Sequence, residues 1–150
     1  VLEKALKENR IEDNAKNKRT LGQCYMQDGE FAKSIKPLSE AATEEADADL
    51  WFQIGQVEMQ FDNLKGAITA LDKAIVEFSK DKDDKATDKR FSAVMMKGQA
   101  LTELKRFEDA KQAFTTASRI SNKDKDRKVI RQWRAYLKGE EAREEMLTGR

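Results

Sequence analysis

LGQCYMQDGEFAKSIKPLSEAA (21–42), IGQVEMQFDNLKGAITALDKAI (54–75) and KGQALTELKRFEDAKQAFTTAS (97–118) fall into register with one another. Each carries Gly-Gln at the same place: Gly22-Gln23, Gly55-Gln56 and Gly98-Gln99. Nine residues after each glycine stands a large apolar residue (Phe31, Leu64, Phe107), and twelve after it a small one (Ser34, Ala67, Ala110). Nineteen after it comes alanine: Ala41, Ala74 and Ala117. Internal self-similarity of this length marks a repeat architecture. The apolar positions recur at three and four residues, which places them on one face of a helix. The glycine fits a close crossing of two helices, where a side chain would hold the backbones apart. The large apolar residue at the start of the second helix plugs the gap between the pair. Neither helix buries its stripe alone, so stability comes from stacked neighbours.

The glycines are 33 and then 43 residues apart. The surplus lies within 79–89, almost all Lys and Asp, and reads as a charged loop insertion over 80–89, with room for a helix extension on one side. The rest of the composition agrees with helix. Of 150 residues, 39% are hydrophobic and 38% charged, with one proline and seven glycines. That apolar content is too high for simple disorder, and Ala, Leu, Lys, Glu and Gln are the good helix formers. Lys and Arg number 29 against 28 Asp and Glu. A net charge of +1 gives no global basic field, which argues against nucleic acid as the main partner. No apolar run approaches the ~18 residues of a membrane span.

The chain has no histidine, so no His general base, Ser-His-Asp triad or His metal ligand exists. The single cysteine, Cys24, has no internal disulfide partner and is expected to be a small buried hydrophobe rather than a nucleophile. The acidic pairs Glu44-Glu45, Asp83-Asp84, Glu140-Glu141 and Glu144-Glu145 sit among cations with no oxygen-ligand loop around them. No glycine-rich phosphate loop is present. The sequence reads as a non-enzyme with no cofactor and no metal.

The repeats resemble the tetratricopeptide repeat, whose first helix runs roughly W-x2-L-G-x2-Y and whose second carries A-x3-F-x2-A. Leu21, Gly22 and Tyr25 match in the first repeat, Trp51, Ile54 and Gly55 in the second, and Ala110, Phe114 and Ala117 in the third. Glu58 stands where Tyr is usual and Lys97 where Leu is usual, and the closing Pro is missing throughout. The resemblance implies an all-α fold: a right-handed superhelical array (an α-solenoid) of antiparallel helix pairs with a C-terminal capping helix. The expected organisation is one domain over 1–150, with repeats at 15–46, 48–79 and 91–122 and the loop insertion at 80–89. Residues 1–10 read as the second helix of an earlier repeat, with Leu2, Ala5 and Leu6 on one face. A start at Val1 then reads as a chain cut or processed from something longer. Residues 124–147 read as the capping helix, with Val129, Ile130, Trp133, Tyr136 and Leu137 as its apolar stripe.

A narrower resemblance lies at the end of the chain. KDRKVIRQWRAYLKGEEAREEM, with Arg131-Gln132-Trp133, Tyr136 and the acidic tail 140–145, is similar to the C-terminus of repeat proteins that accompany TonB–ExbB–ExbD energy-transduction systems. IEDNAKNKRTLGQCYM is similar to the penultimate repeats of the same proteins. This resemblance implies a Gram-negative periplasmic location and a TonB-system partner, and leaves a cytoplasmic location open.

In tetratricopeptide arrays the first helices line a concave groove. By resemblance, the groove positions are Lys16, Arg19, Gln23, Met26 and Gln27 in the first repeat. They are Asp49, Phe52, Gln56, Met59 and Gln60 in the second, and Ser92, Met95, Gln99, Thr102 and Glu103 in the third. Amides donate to and accept from a peptide backbone, and methionine accommodates varied side chains. The set therefore suits an extended peptide or helix of a partner protein, with Lys16 and Arg19 available to an acidic ligand. It lacks the Lys/Asn pattern of chaperone-binding carboxylate clamps. The plainer alternative is that these side chains face solvent or pack on the array itself. Two function classes stand: a peptide-binding adaptor using the concave face, and an assembly module acting through its convex face or end helix. The basic stretch 123–134 keeps nucleic acid as a distant third.

Overall fold

The computed structural model describes residues 2–7 and 13–149, the side chains of residues 5–7 excepted. Among these residues there are eight helices and no strand: α1 (Leu2–Lys7), α2 (Ala15–Gln27), α3 (Phe31–Glu45), α4 (Ala48–Gln60), α5 (Leu64–Ser79), α6 (Asp84–Glu103), α7 (Phe107–Ile120) and α8 (Asp124–Thr148). Of the expected leading helix over 1–10, residues 1 and 8–10 and the side chains of Ala5 and Leu6 lie outside the described residues. The Leu2 side chain is half-buried, and the Tyr25 hydroxyl donates to the Glu3 carboxylate, joining α1 to α2.

Helices α2 and α3, α4 and α5, and α6 and α7 form hairpins through the turns 28–30, 61–63 and 104–106. The three turns share one geometry. The residue seven after the repeat glycine is left-handed in each: Gly29 (φ 77°), Asp62 (φ 61°) and Lys105 (φ 60°). The next N–H, of Glu30, Asn63 or Arg106, donates back to the carbonyl of Tyr25, Glu58 or Leu101 at 2.8, 2.9 and 2.9 Å. This closes the last turn of each first helix by satisfying a carbonyl that would otherwise lack a donor. Starts are capped by side chains: Asn14 accepts from the Asn17 amide, Asp47 from Leu50 and Asp83 from Ala86, at 3.0, 3.1 and 2.7 Å.

The repeat glycines sit where the helices of each pair cross. Gly22 faces Leu38, Gly55 faces Leu71 and Gly98 faces Phe114, each too closely for a Cβ to fit without movement. Ala41, Ala74 and Ala117 are fully buried, as are Ala67 and Ala110. Leu38, Trp51, Ile54 and Phe78 belong to one core cluster and Phe91, Leu101, Phe114 and Ile130 to a second. Phe31 and Phe107, which open α3 and α7, are half-buried, and the Phe31 ring lies 4.8 Å from that of Phe61.

The segment 80–89 departs from the loop expectation. Helix α5 ends at Ser79 and α6 begins at Asp84. Most of the insertion is helix: α6 has 20 residues against 13 in α4, about two extra turns. The charged composition of 80–89 predicts a solvated connector. Its acidic residues instead serve the helix start, with Asp83 at the N-cap and Asp84 in the first turn. Ala86 is buried alongside Phe78.

Helix α8 covers the last pair. Ile130 and Leu137 are 2% exposed, and Trp133 stacks on Phe114 with ring centroids 6.2 Å apart. Val129 and Tyr136, expected in the same stripe, are exposed instead, because the covered face is narrower than the apolar one. Lys111 pairs with Glu141 at 3.0 Å and Lys105 with Glu144 at 2.9 Å, holding the far end of α8 against the α6–α7 hairpin. Among the described residues no helix is long and apolar enough to cross a membrane.

Candidate functional site

The first helices of successive pairs lie side by side. Arg19 of α2 reaches Asp47 at the start of α4. Lys89 of α6 pairs with Asp49 of α4 at 2.6 Å. Lys123, just ahead of α8, pairs with Asp88 of α6 at 2.7 Å, and that hydrogen bond raises its ammonium pKa. Ion pairs thus link α2 to α4 and α4 to α6, and the exposed sides of these three helices make up the candidate face.

The side chains on that face follow the helical period. On α2, Lys16, Gln23 and Gln27 are exposed and Met26 half-buried. On α4, Asp49, Gln56 and Gln60 are exposed and Phe52 and Met59 half-buried. Phe52 packs edge-on to Phe78 (6.2 Å, 71°), fixing one side of its ring against the core. On α6 the stripe is Lys85, Asp88, Lys89, Ser92, Met96, Gln99 and Glu103, with Gln99 half-buried. Gln23, Gln56 and Gln99 stand at equivalent places, one residue after each crossing glycine.

Four sequence expectations need correction. Met95 is 4% exposed and belongs to the core with Phe91 and Val94. The methionine on the face is Met96, about 100° further round the helix. Thr102 is 3% exposed, and its hydroxyl donates to the Gly98 carbonyl at 2.8 Å. Met95 shares its core cluster with Ile130 and Leu137 of α8. Arg19 is held by Glu45 and Asp47 and is not free to receive an acidic ligand. Cys24 is exposed, not buried. It lies two residues, about 200°, from buried Gly22, on the opposite side of α2.

Chemically the face combines amides and thioethers with charged groups: Asp49 is paired with Lys89, whereas Lys16, Lys85 and Glu103 are exposed and among the described residues have no ion-pair partner. Such a surface can hydrogen-bond a peptide backbone and pack against varied side chains. Among the described residues no group of three or more His, Cys, Asp or Glu is placed to hold a metal ion.

Residues 91–124 match a family model of the tetratricopeptide repeat. They span α6 from Phe91, all of α7 and the start of α8. No curated protein matches the chain. Among solved structures, the N-terminal domain of stress-induced protein-1 (STI-1) from C. elegans superposes with a TM-score of 0.67 at 14% identity, covering 80% of this chain and 94% of that one. The architecture is therefore that of an all-α tetratricopeptide-type solenoid.

Proposed function

We propose that this chain is a protein-interaction scaffold that holds an extended peptide or short helix of a partner across α2, α4 and α6. The observation that carries the reading is the stripe of Gln23 and Gln56, exposed, and Gln99, half-buried, at equivalent positions, flanked by the half-buried Met26, Met59, Met96 and Phe52. Amides at a repeated spacing match the repeated donors and acceptors of an extended backbone, and the half-buried apolar groups give side chains a place to pack. The finer reading is a periplasmic role beside a TonB-type transport system. What supports it is the resemblance of Arg131-Gln132-Trp133, Tyr136 and the acidic tail to proteins of those systems.

A photo-crosslinking residue at position 56, used in a native Gram-negative envelope, tests both levels. Crosslinking to a protein there and not from position 76 on α5 supports the groove. Recovery of TonB-, ExbB- or ExbD-type proteins supports the finer reading, and recovery of cytosolic chaperones contradicts it. Crosslinks from position 76 alone would move the reading to an assembly module acting through the opposite face.

A further inference from the structure

Many cations of this molecule have carboxylate partners, among them Lys18, Arg19, Lys80, Lys89, Lys97, Lys105, Arg106, Lys111 and Lys123. One row of cations on α8 has none. Arg127, Arg131, Arg134 and Lys138 are exposed, and among the described residues none forms an ion pair. Their spacing of four, three and four residues puts them on one face, in a row about 17 Å long. Asp124 and Asp126 stand in the first turn of the same helix, and its remaining acidic residues lie in the far half, where Glu141 and Glu144 anchor it to Lys111 and Lys105.

This arrangement works against the helix itself. Arg127 and Arg131, and Arg134 and Lys138, are like charges four residues apart, which repel on a helix surface. Arg127 closes the first turn, where the helix dipole favours anions. Anchoring accounts for Glu141 and Glu144, but among the described residues no ion pair uses the four cations. Ile130 and Leu137 are buried on the covered face, and the exposed row runs along the flank beside it, about 40–120° round the helix.

We propose that this row is a docking surface for an acidic segment of a protein partner, one carrying Asp or Glu at helical spacing. The charge complementarity is one-sided and linear, and bidentate carboxylate contacts suit Arg. A single-stranded nucleic acid would also want aromatic groups interleaved with the cations. The exposed aromatic of α8, Tyr136, lies on the other flank, about 140° or more from each of the four cations. The surface is separate from the amide face of α2, α4 and α6.

The test uses the full chain and a helical peptide of about 15 residues with Glu every third or fourth position. Binding is read by fluorescence anisotropy at low and high salt. The double variant Arg131→Glu/Arg134→Glu should weaken binding at least about tenfold. Because it places opposite charges four residues from Arg127 and Lys138, it should also raise the melting temperature. The neutral pair Arg131→Gln/Arg134→Gln should give an intermediate loss. Unchanged affinity in the charge-reversed protein, with its helical signal intact, overturns the proposal. So does tighter binding of a single-stranded RNA oligomer than of the acidic peptide.

Discussion

A Cβ placed on Gly98 would lie 2.6 Å from the Phe114 ring, and Phe114 is fully buried beneath α8. Helix propensity alone favours Gly98→Ala by about 1 kcal/mol. The contact opposes it, because Phe114 is locked between Gly98 and Trp133 and cannot give way. Overpacking should win, for a net loss of about 1–3 kcal/mol in thermal or urea unfolding. Gly139 is the internal control. Nothing lies within 4 Å of its Cβ position, so Gly139→Ala should stabilise by about 0.5–1 kcal/mol.

Asp62 adopts in the second turn the left-handed backbone that Gly29 supplies in the first. A non-glycine residue there carries strain of about 1 kcal/mol or more. Asp62→Gly should raise stability by a few tenths to about 1 kcal/mol, since the added freedom of the unfolded chain offsets part of the relief. A lower melting temperature would show that the exposed Asp62 side chain contributes more than its backbone strain removes.

Asp47 has two jobs that can be separated. Its carboxylate caps α4 through the Leu50 amide at 3.1 Å and also receives Arg19. Asp47→Asn keeps a capping oxygen and loses the charge pair, whereas Asp47→Ala loses both. The alanine variant should be destabilised by about 1–2 kcal/mol and the asparagine variant by less than about 1. Equal losses would mean that the cap contributes nothing.

Lys18, Lys111 and Lys123 have ammonium pKa values raised above 10.5, chiefly by hydrogen bonds to Glu44, to Glu108 and Glu141, and to Asp88. The Tyr25 phenol is raised above 10.0, chiefly by its hydrogen bond to Glu3. In each case the folded state holds the proton more tightly than the unfolded chain. The stabilisation is complete below the ordinary values and is lost as pH rises through the raised ones. Melting temperature should therefore be flat near about pH 9 and fall above about pH 10.5. High salt should shrink the contributions of Lys111 and Lys123, whose side chains are about half exposed, more than that of Lys18, which is 15% exposed.

The repeat itself was plain in the sequence, because crossing glycines and buried alanines are dictated by backbone separation and leave a fixed spacing. Trp133, Ile130 and Leu137 were legible as a capping stripe for the same reason. What the sequence hid was register and length. The run 80–89 is charged whether it is loop or helix, and only the Asp83 cap marks where α6 begins. Met95 joins the core cluster that holds Ile130 and Leu137 of α8, while Met96 stays half-buried on the face, a difference that composition does not encode. Residue type predicts a buried Cys24, since cysteines are commonly buried, whereas its register against Gly22 places it outside.

Chemical-shift mapping of a bound peptide tests the central claim most directly. The ligand is a peptide selected from a random display library on the whole protein, titrated into isotope-labelled chain. The account predicts that the perturbed residues cluster on Gln23, Phe52, Gln56, Met96 and Gln99. Perturbations gathered instead around Ala42, Lys73 and Val76 on α3 and α5, with the α2–α4–α6 face unmoved, would contradict it.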